Sequence, residues 1–294
     1  MTGLILQNAF RIESLNARGE IALFRAFIRT FDYLGSNALA HEYHGNRYQV
    51  TFTAMRGAGR QKPRCELCDV MIIHYPEGNP RAARVTFNQA KVSSNPLQSA
   101  TAVFAPYKFR ANLEQWDLLS NRPLIRATSS KINLPANLLS GALLPSVGTF
   151  GVFYPTGQGF DFAYFVANGL SPLNNNNNSS GTLQWKTKLG CVRKINNYKE
   201  ITATCCMYTF GQSLESGLIG TPLQQILNVS TEPAEIRIWL RSMLSSLQEM
   251  HPDSTLPNEL LEGFELIREE PSKNVELSTP RAVILVKTGK PLLS

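Results

Sequence analysis

The spacing of apolar residues along the first third of the chain predicts one helix followed by three strands. Apolar side chains recur at a near-helical period over residues 18–34 and then stop at the Gly-Ser-Asn of residues 35–37, which predicts a helix. Residues 48–54 alternate apolar and polar side chains, as a half-buried strand does. Residues 68–75 and 84–92 predict two more strands, and the short turn-rich connection between them indicates an antiparallel hairpin.

The rest of the chain continues this mixture of helices and strands. Asparagine-rich residues 173–181 predict a loop, and the other segments predict helices at 110–120 and 235–250 and strands at 150–154, 160–166, 201–208 and 282–287. This order of elements predicts an α/β fold with a mixed central sheet flanked by helices. We assign residues 10–130 to a core and residues 131–294 to a C-terminal elaboration of unknown role, packed on the same domain or separate from it.

Composition and charge narrow the class of protein. Hydrophobic residues make up 43% of the 294 positions, which is enough for a sizeable core. Lysine and arginine exceed aspartate and glutamate by 29 to 22, and the resulting net charge of +7 favours contact with a polyanion such as DNA. The odd number of cysteines, the lack of a basic segment before the first apolar run, and the lack of a bilayer-length apolar stretch predict a cytoplasmic protein that does not contact a membrane.

The predicted hairpin brings together side chains that suit phosphodiester chemistry. Alternate residues of a strand share a face, so Gln89 and Lys91 point the same way, and the register of the hairpin places Asp69 opposite them. The Asp69 carboxylate, the Gln89 amide oxygen and the Ala90 carbonyl are oxygen ligands of the kind that Mg²⁺ binds. The Lys91 ammonium can orient a water and offset phosphate charge. The same residues have a simpler interpretation, in which Asp69 and Lys91 form an ordinary cross-strand ion pair.

A basic loop precedes Asp69 in the sequence. Residues 56–64 combine two glycines and a proline with basic side chains, which predicts irregular structure. The loop either grips phosphate at the mouth of the site or forms a solvated surface turn. Its basic residues are Arg56, Arg60, Lys62 and Arg64.

Asp69 followed by Phe87-Asn88-Gln89-Ala90-Lys91 resembles the PD-(D/E)XK, or restriction-endonuclease-like, nuclease superfamily, in the variant that has glutamine in place of the acid before the lysine. Mrr-like restriction enzymes and nuclease domains of bacterial anti-phage systems carry such a Gln-x-Lys. Residues 65–72 resemble the Glu-Leu-x-Asp strand of some of those domains, and residues 113–119 resemble the glutamine-bearing helix that often follows. The family's proline before the aspartate is absent here, and the resemblance covers about residues 10–130.

The resemblance implies a restriction-endonuclease-like core that cleaves DNA with Mg²⁺ or Mn²⁺. Asp69, Gln89 and Ala90 would hold the metal, Lys91 would position the water, and an acid on the first helix would assist. Glu20 is the first candidate for that acid, followed by Glu13 and Glu42. Similarity to defence nucleases further implies an anti-phage effector controlled by a regulatory or sensor protein partner or by homo-oligomerisation.

Three other interpretations remain open from the sequence. The chain could be a nuclease-like subunit without catalytic activity that binds nucleic acid or a partner protein. It could be an assembly subunit whose basic surface touches an acidic protein. It could also hold zinc, because Cys65 and Cys68 form one Cys-x-x-Cys. A zinc site needs four ligands, however, usually from two such pairs.

Overall fold

The computed structural model describes residues 1–43, 49–55, 63–97, 107–129, 132–173, 179–229, 233–266, 276–277 and 279–289. Within these ranges no helix combines the length and the apolar content needed to cross a bilayer. The α-helices are α1 (Thr2–Ser14), α2 (Gly19–Thr30), α3 (Leu113–Asn121), α4 (Met207–Glu215), α5 (Leu223–Val229), α6 (Pro233–Met250) and α7 (Leu256–Gly263). A 3₁₀ segment, Phe31–Asn37, continues the chain after α2.

Eight of the strands in the described ranges form one mixed sheet at the centre of the fold. Its strands are β1 (Ala38–Glu42), β4 (Val70–Pro76), β5 (Arg84–Val92), β9 (Gly148–Thr156), β10 (Gly159–Val166), β15 (Ala203–Thr204), β16 (Thr221–Pro222) and β18 (Ala282–Thr288). Their order is β1-β18-β4-β5-β9-β10-β15, with β16 paired to β5. The β4–β5 and β9–β10 pairs are antiparallel, whereas β18–β4 and β5–β9 are parallel.

Smaller sheets surround this centre. A three-stranded sheet beside β4 and β5 consists of β2 (Gln49–Phe52), β3 (Arg64–Glu66) and β7 (Ile125–Ala127), with β2 in the middle. The remaining strands are β6 (Tyr107–Asn112), β8 (Ile132–Asn133), β11 (Leu170–Pro172), β12 (Ser180–Trp185), β13 (Val192–Ile195), β14 (Tyr198–Ile201) and β17 (Glu276–Leu277).

Helices cover both faces of the central sheet. Strand β4 shows why, because its first six residues, which are apolar apart from His74, are buried on both faces of the strand. Val70 and Ile72 belong to a cluster with α1, α2 and α4, whereas Met71 and Ile73 belong to a cluster with α3, α5, α6 and α7. The fold is therefore α/β with a mixed central sheet flanked by helices, as the residue pattern predicts.

Both halves of the chain supply strands to the central sheet. Strand β18 lies between β1 and β4, and it pairs with β4 in parallel from Ala282 opposite Val70 onward. Strands β9 and β10 extend the sheet beyond β5. The strand that carries Gln89 and Lys91 thus has neighbours from both halves.

The structure corrects several boundaries and reveals, among the described residues, four helices that we did not predict, namely α1, α4, α5 and α7. Helix α1 precedes the predicted first helix. Arg64 lies in strand β3 and not in a loop, because it pairs with Thr51 of β2. The predicted helix over 110–120 begins at Leu113, since residues 110–112 pair with β12. The predicted strand over 201–208 ends at Thr204, and α4 starts at Met207.

A buried histidine in β4 makes the stability of this fold depend on pH. The His74 ring is 2% exposed, and its Nε2–H donates to the carbonyl of Ile219 at 2.7 Å. Burial lowers the pKa of His74 from 6.5 to about 4, so the folded protein holds this ring neutral. The unfolded chain binds the proton more readily, and stability is therefore present above pH 6.5 and lost as the pH falls toward 4.

When the pH is lowered from about 7 to about 4, we expect the titration of His74 to lower the free energy of unfolding by about 3 kcal/mol. The measurement is urea unfolding across this range for wild type and His74→Gln, which keeps a hydrogen-bond donor and does not titrate. Other groups titrate equally in both proteins, so the difference between the two curves isolates His74. Parallel curves would show that the ring does not carry this dependence.

Candidate active site

Asp69 lies directly before the first residue of β4 and is held against β5. Its backbone N–H donates to the carbonyl of Asn88 at 3.0 Å, and its carboxylate Oδ2 accepts the backbone N–H of Ala90 at 2.8 Å. The carboxylate thus replaces a strand carbonyl as the acceptor for Ala90 at the point where β4 begins. Asp69 is 7% exposed. The sequence places Asp69 within the strand, whereas the structure places it at the strand's entrance.

Gln89 is fully buried, and its amide oxygen has no hydrogen-bond donor among the described residues. Continuing the β4–β5 register by one residue from Val70 opposite Asn88 places Asp69 opposite Gln89. Nε2 of Gln89 donates to the carbonyl of Glu66 at 3.4 Å, while Oε1 accepts no hydrogen bond from the described residues. A buried acceptor without a donor costs about 1–3 kcal/mol, which a cation or a donor on a ligand would offset.

Ala90 adds a backbone oxygen on the same side. The N–H and C=O groups of one strand residue point toward the same neighbouring strand. Because the N–H of Ala90 donates to Asp69, its carbonyl also points toward the start of β4. The Ala90 methyl group packs on the opposite face, in the cluster formed with α1 and α2.

Lys91 follows on β5 and approaches the acid at the start of α2. Its Nζ lies 4.0 Å from Oε1 of Glu20, and the two side chains are 13% and 50% exposed. Among the described residues, the ion pair of Lys91 is with Glu20, while Asp69 accepts from the Ala90 backbone. The interpretation of Asp69 and Lys91 as an ordinary cross-strand ion pair is therefore wrong.

The structure separates the three acids considered for the first helix. Glu13 accepts from Nε of Arg29 at 2.7 Å and from the hydroxyl of Tyr33. Glu42 is paired with two arginines, Arg25 and Arg281. Glu20, in the first turn of α2, is the acid of the three whose carboxylate the structure places beside Lys91.

Arg64 gains a basic neighbour that the sequence did not indicate. Arg56, Arg60 and Lys62 of the basic loop lie outside the described residues. Arg64 and Arg126 both pair with Thr51, one from each side, and both are exposed. Arg126 is distant in sequence and has no motif around it, so only the pairing of β7 with β2 identifies it.

Helix α3 fixes the start of the basic loop. Oδ2 of the buried Asp117 accepts the backbone N–H of Met55 at 3.0 Å, and Oδ1 accepts from the Asn121 amide. Met55 is the last described residue before the loop. Asp117 is therefore a structural acid that anchors this segment, a role that its position in a predicted helix could not indicate.

The cysteine pair considered for zinc is enclosed in the fold. Cys65 and Cys68 are buried, and burial raises the pKa of Cys65 to about 12 and that of Cys68 as well. In the part of the chain that the structure describes, no three His, Cys, Asp or Glu side chains are grouped to hold a metal. Neutral thiols without further ligands do not form a zinc site.

Comparisons with family models, with curated proteins and with solved structures found no match. The chemistry of the residues around Asp69 therefore carries the functional interpretation, together with the resemblance of its motif.

Proposed function

We propose that this chain is a Mg²⁺-dependent DNA endonuclease with a restriction-endonuclease-like core. The observation that carries the proposal is a pair of buried side-chain oxygens on two residues that the β4–β5 register sets opposite each other. The Asp69 carboxylate is held against Ala90, and the buried Oε1 of Gln89, the residue opposite Asp69 in the register, accepts no hydrogen bond from the described residues. A buried amide oxygen without a donor is uncommon in a folded core, and here it belongs to the residue opposite a buried carboxylate.

The donor set fits a small, hard cation. Mg²⁺ takes oxygen ligands and is commonly bound through one or two carboxylates plus the phosphates of its substrate. Here the oxygens are those of Asp69, Gln89 and the Ala90 carbonyl. The single carboxylate explains why no cluster of three His, Cys, Asp or Glu residues is found in the described ranges. When bound, Mg²⁺ or Mn²⁺ would polarise the scissile phosphate and lower the pKa of a water.

Lys91 and Glu20 supply the remaining chemistry. The Lys91 ammonium lies near the C-terminal end of β5. There it can orient the attacking water and offset the negative charge that grows on the phosphate oxygens. Glu20 holds the ammonium from the side of α2 at 4.0 Å and restrains its position. Because half of the Glu20 side chain is exposed, this side of the site is the one that a substrate can approach.

Exposed arginines near the site would bind the DNA backbone. Arg64 and Arg126 flank Thr51 on β2, and the carbonyl of Glu66 at the end of β3 accepts from Gln89. Guanidinium groups bind phosphate oxygens through charge-assisted hydrogen bonds. The net charge of +7 supports a polyanionic substrate. The basic residues Arg56, Arg60 and Lys62 belong to the same proposal through the sequence alone.

The resemblance to defence nucleases supplies the biological part of the proposal. The protein would act in the bacterial cytoplasm against phage DNA, and a sensor partner or homo-oligomerisation would control its activity.

The test is cleavage of supercoiled plasmid by the full chain with Mg²⁺, with Mn²⁺ and with EDTA. We expect nicking or linearisation that requires the metal. Lys91→Met should reduce the cleavage rate by about 10²-fold, since positioned proton transfer and charge stabilisation typically contribute this much or more. Lys194→Met is the matched control, because Lys194 is exposed on the β13–β14 hairpin and should retain full activity.

Two results would reject this proposal. Cleavage that Lys91→Met retains at the wild-type rate excludes the assigned site. Plasmid binding by wild type without cleavage in either metal excludes catalysis and favours the nuclease-like binding subunit.

A further inference from the structure

Two adjacent cysteines lie beside β15, at the edge of the central sheet that is farthest from β1. Cys205 and Cys206 connect β15, the edge strand, to the first residue of α4. Their Sγ atoms are 3.6 Å apart, and the Cys205 thiol donates to the sulfur of Cys206. Neither residue is fully buried, so a small reagent can reach the pair.

The local fold holds both sulfurs in place. Cys206 caps α4, with its sulfur and the Thr209 side chain forming a reciprocal capping box. The Thr209 hydroxyl lies 3.6 Å from the sulfur of Cys205 and 3.5 Å from that of Cys206. The hydroxyl of Tyr154 donates to the carbonyl of Cys205 at 2.7 Å. The two thiols are thus ordered next to each other by contacts from α4 and β9.

The pair is also more reactive than the other described cysteines. The hydrogen bond from Cys205 lowers the pKa of Cys206 to about 6, and the same bond raises the pKa of Cys205. The lowered pKa favours the thiolate, which is the nucleophilic form, at Cys206. Cys65 and Cys68 are buried with raised pKa values, and Cys191 is exposed as a single thiol.

The spacing of the sulfurs suits a single bridging centre better than a bond between them. Sulfurs 3.6 Å apart that share a centre at about 2.3 Å, the usual zinc–thiolate distance, subtend an angle of about 100°. That angle is typical of pyramidal and tetrahedral centres. A direct disulfide is disfavoured, because adjacent Cα atoms are about 3.8 Å apart whereas disulfides need about 4.4–6.8 Å.

The number of available ligands determines which kind of atom the two sulfurs can bind. Zinc takes at least three protein ligands, and in the described ranges no third His, Cys, Asp or Glu joins this pair. A monosubstituted trivalent arsenical needs only two sulfurs, because its third bond is to carbon.

We propose that Cys205 and Cys206 form a vicinal dithiol site that captures monosubstituted trivalent arsenicals through both sulfurs. The Cys206 thiolate attacks arsenic in R–As=O, and the oxygen takes up one proton to become hydroxyl. The Cys205 sulfur then bonds to arsenic, its proton joins the hydroxyl, and water leaves. Two S–As bonds replace the As=O bond, one water is released, and no atom changes its oxidation state.

The test is intact-mass spectrometry of the full chain with one equivalent of phenylarsine oxide. We expect one adduct whose mass equals the reagent minus one water, released by excess 2,3-dimercaptopropanol and not by a monothiol. Cys205→Ser and Cys206→Ser should each weaken binding by about 10²-fold, because the second sulfur bonds intramolecularly. Cys191→Ser is the control and should bind like wild type.

Circular dichroism of each variant establishes that the fold is retained. An adduct that persists in both Cys205→Ser and Cys206→Ser would overturn the proposal, as would the absence of an adduct on wild type. Loss of the adduct in Cys65→Ser with full binding in Cys206→Ser would place the site at the Cys-x-x-Cys instead.

Discussion

Asp69→Asn is expected to lower the rate of Mg²⁺-dependent DNA cleavage by about 10³-fold or more, since a bound metal contributes several kcal/mol to the stabilisation of transition-state charge. Asparagine has the size of aspartate and keeps an oxygen that can accept the N–H of Ala90, so the start of β4 should keep its structure. What the substitution removes is the negative charge, and with it the single carboxylate of the proposed donor set.

The control for this prediction is Asp253→Asn, which changes an exposed acid between α6 and α7. Initial rates of plasmid cleavage measure the effect, and thermal unfolding of each variant shows whether the fold is intact. An Asp69→Asn protein that is folded and cleaves at more than about a tenth of the wild-type rate would exclude Asp69 as the metal-binding acid.

Phe27→Ala is expected to lower the free energy of unfolding by about 3–5 kcal/mol, the usual cost of removing a buried phenylalanine. Phe27 lies on α2 and is 1% exposed. Its ring stacks on Phe162 at 4.7 Å and contacts Phe31 and Phe153. Removing it opens a cavity between α2 and the sheet that these rigid rings cannot fill without moving.

Urea unfolding measures the loss, and Ile21→Ala on the same helix is the matched control. Ile21 is 55% exposed, so this substitution should cost less than about 0.5 kcal/mol. Equal losses in the two variants would show that α2 is not anchored through Phe27. Helix α2 also carries Glu20, the partner of Lys91. The cleavage rate of the Phe27→Ala protein therefore shows whether the packing of α2 affects the function of Lys91.

The hairpin that carries the candidate site could be predicted because its pattern is local. Strand β4 is apolar apart from His74, β5 contains Val85, Phe87 and Val92, and the short turn between them leaves few alternatives for their pairing. The start of β4 was harder to predict, since the Asp69 carboxylate, and not a backbone carbonyl, accepts the N–H of Ala90. A side-chain carboxylate that accepts a strand N–H in place of a backbone carbonyl cannot be predicted from the pattern of apolar and polar residues.

The errors occur where distant partners override local preference. Arg64 follows glycines and a proline, which favour a loop, yet pairing with Thr51 makes it part of a strand. Residues 110–112 have helix-compatible side chains, yet β12 draws them into a sheet. Cys206 follows a strand-like run, and its capping contacts with Thr209 begin a helix instead.

The α/β class and the β4–β5 hairpin follow from the sequence, because side-chain periodicity and turn chemistry act over a few residues. Three other features are visible only in the folded protein. Strand β18 lies between β1 and β4, and Glu20 is the acid beside Lys91. Arg126 and Arg64 pair with Thr51 from its two sides. Those contacts join residues far apart in the chain. Their formation depends on the burial of both sheet faces at once, which no local pattern records.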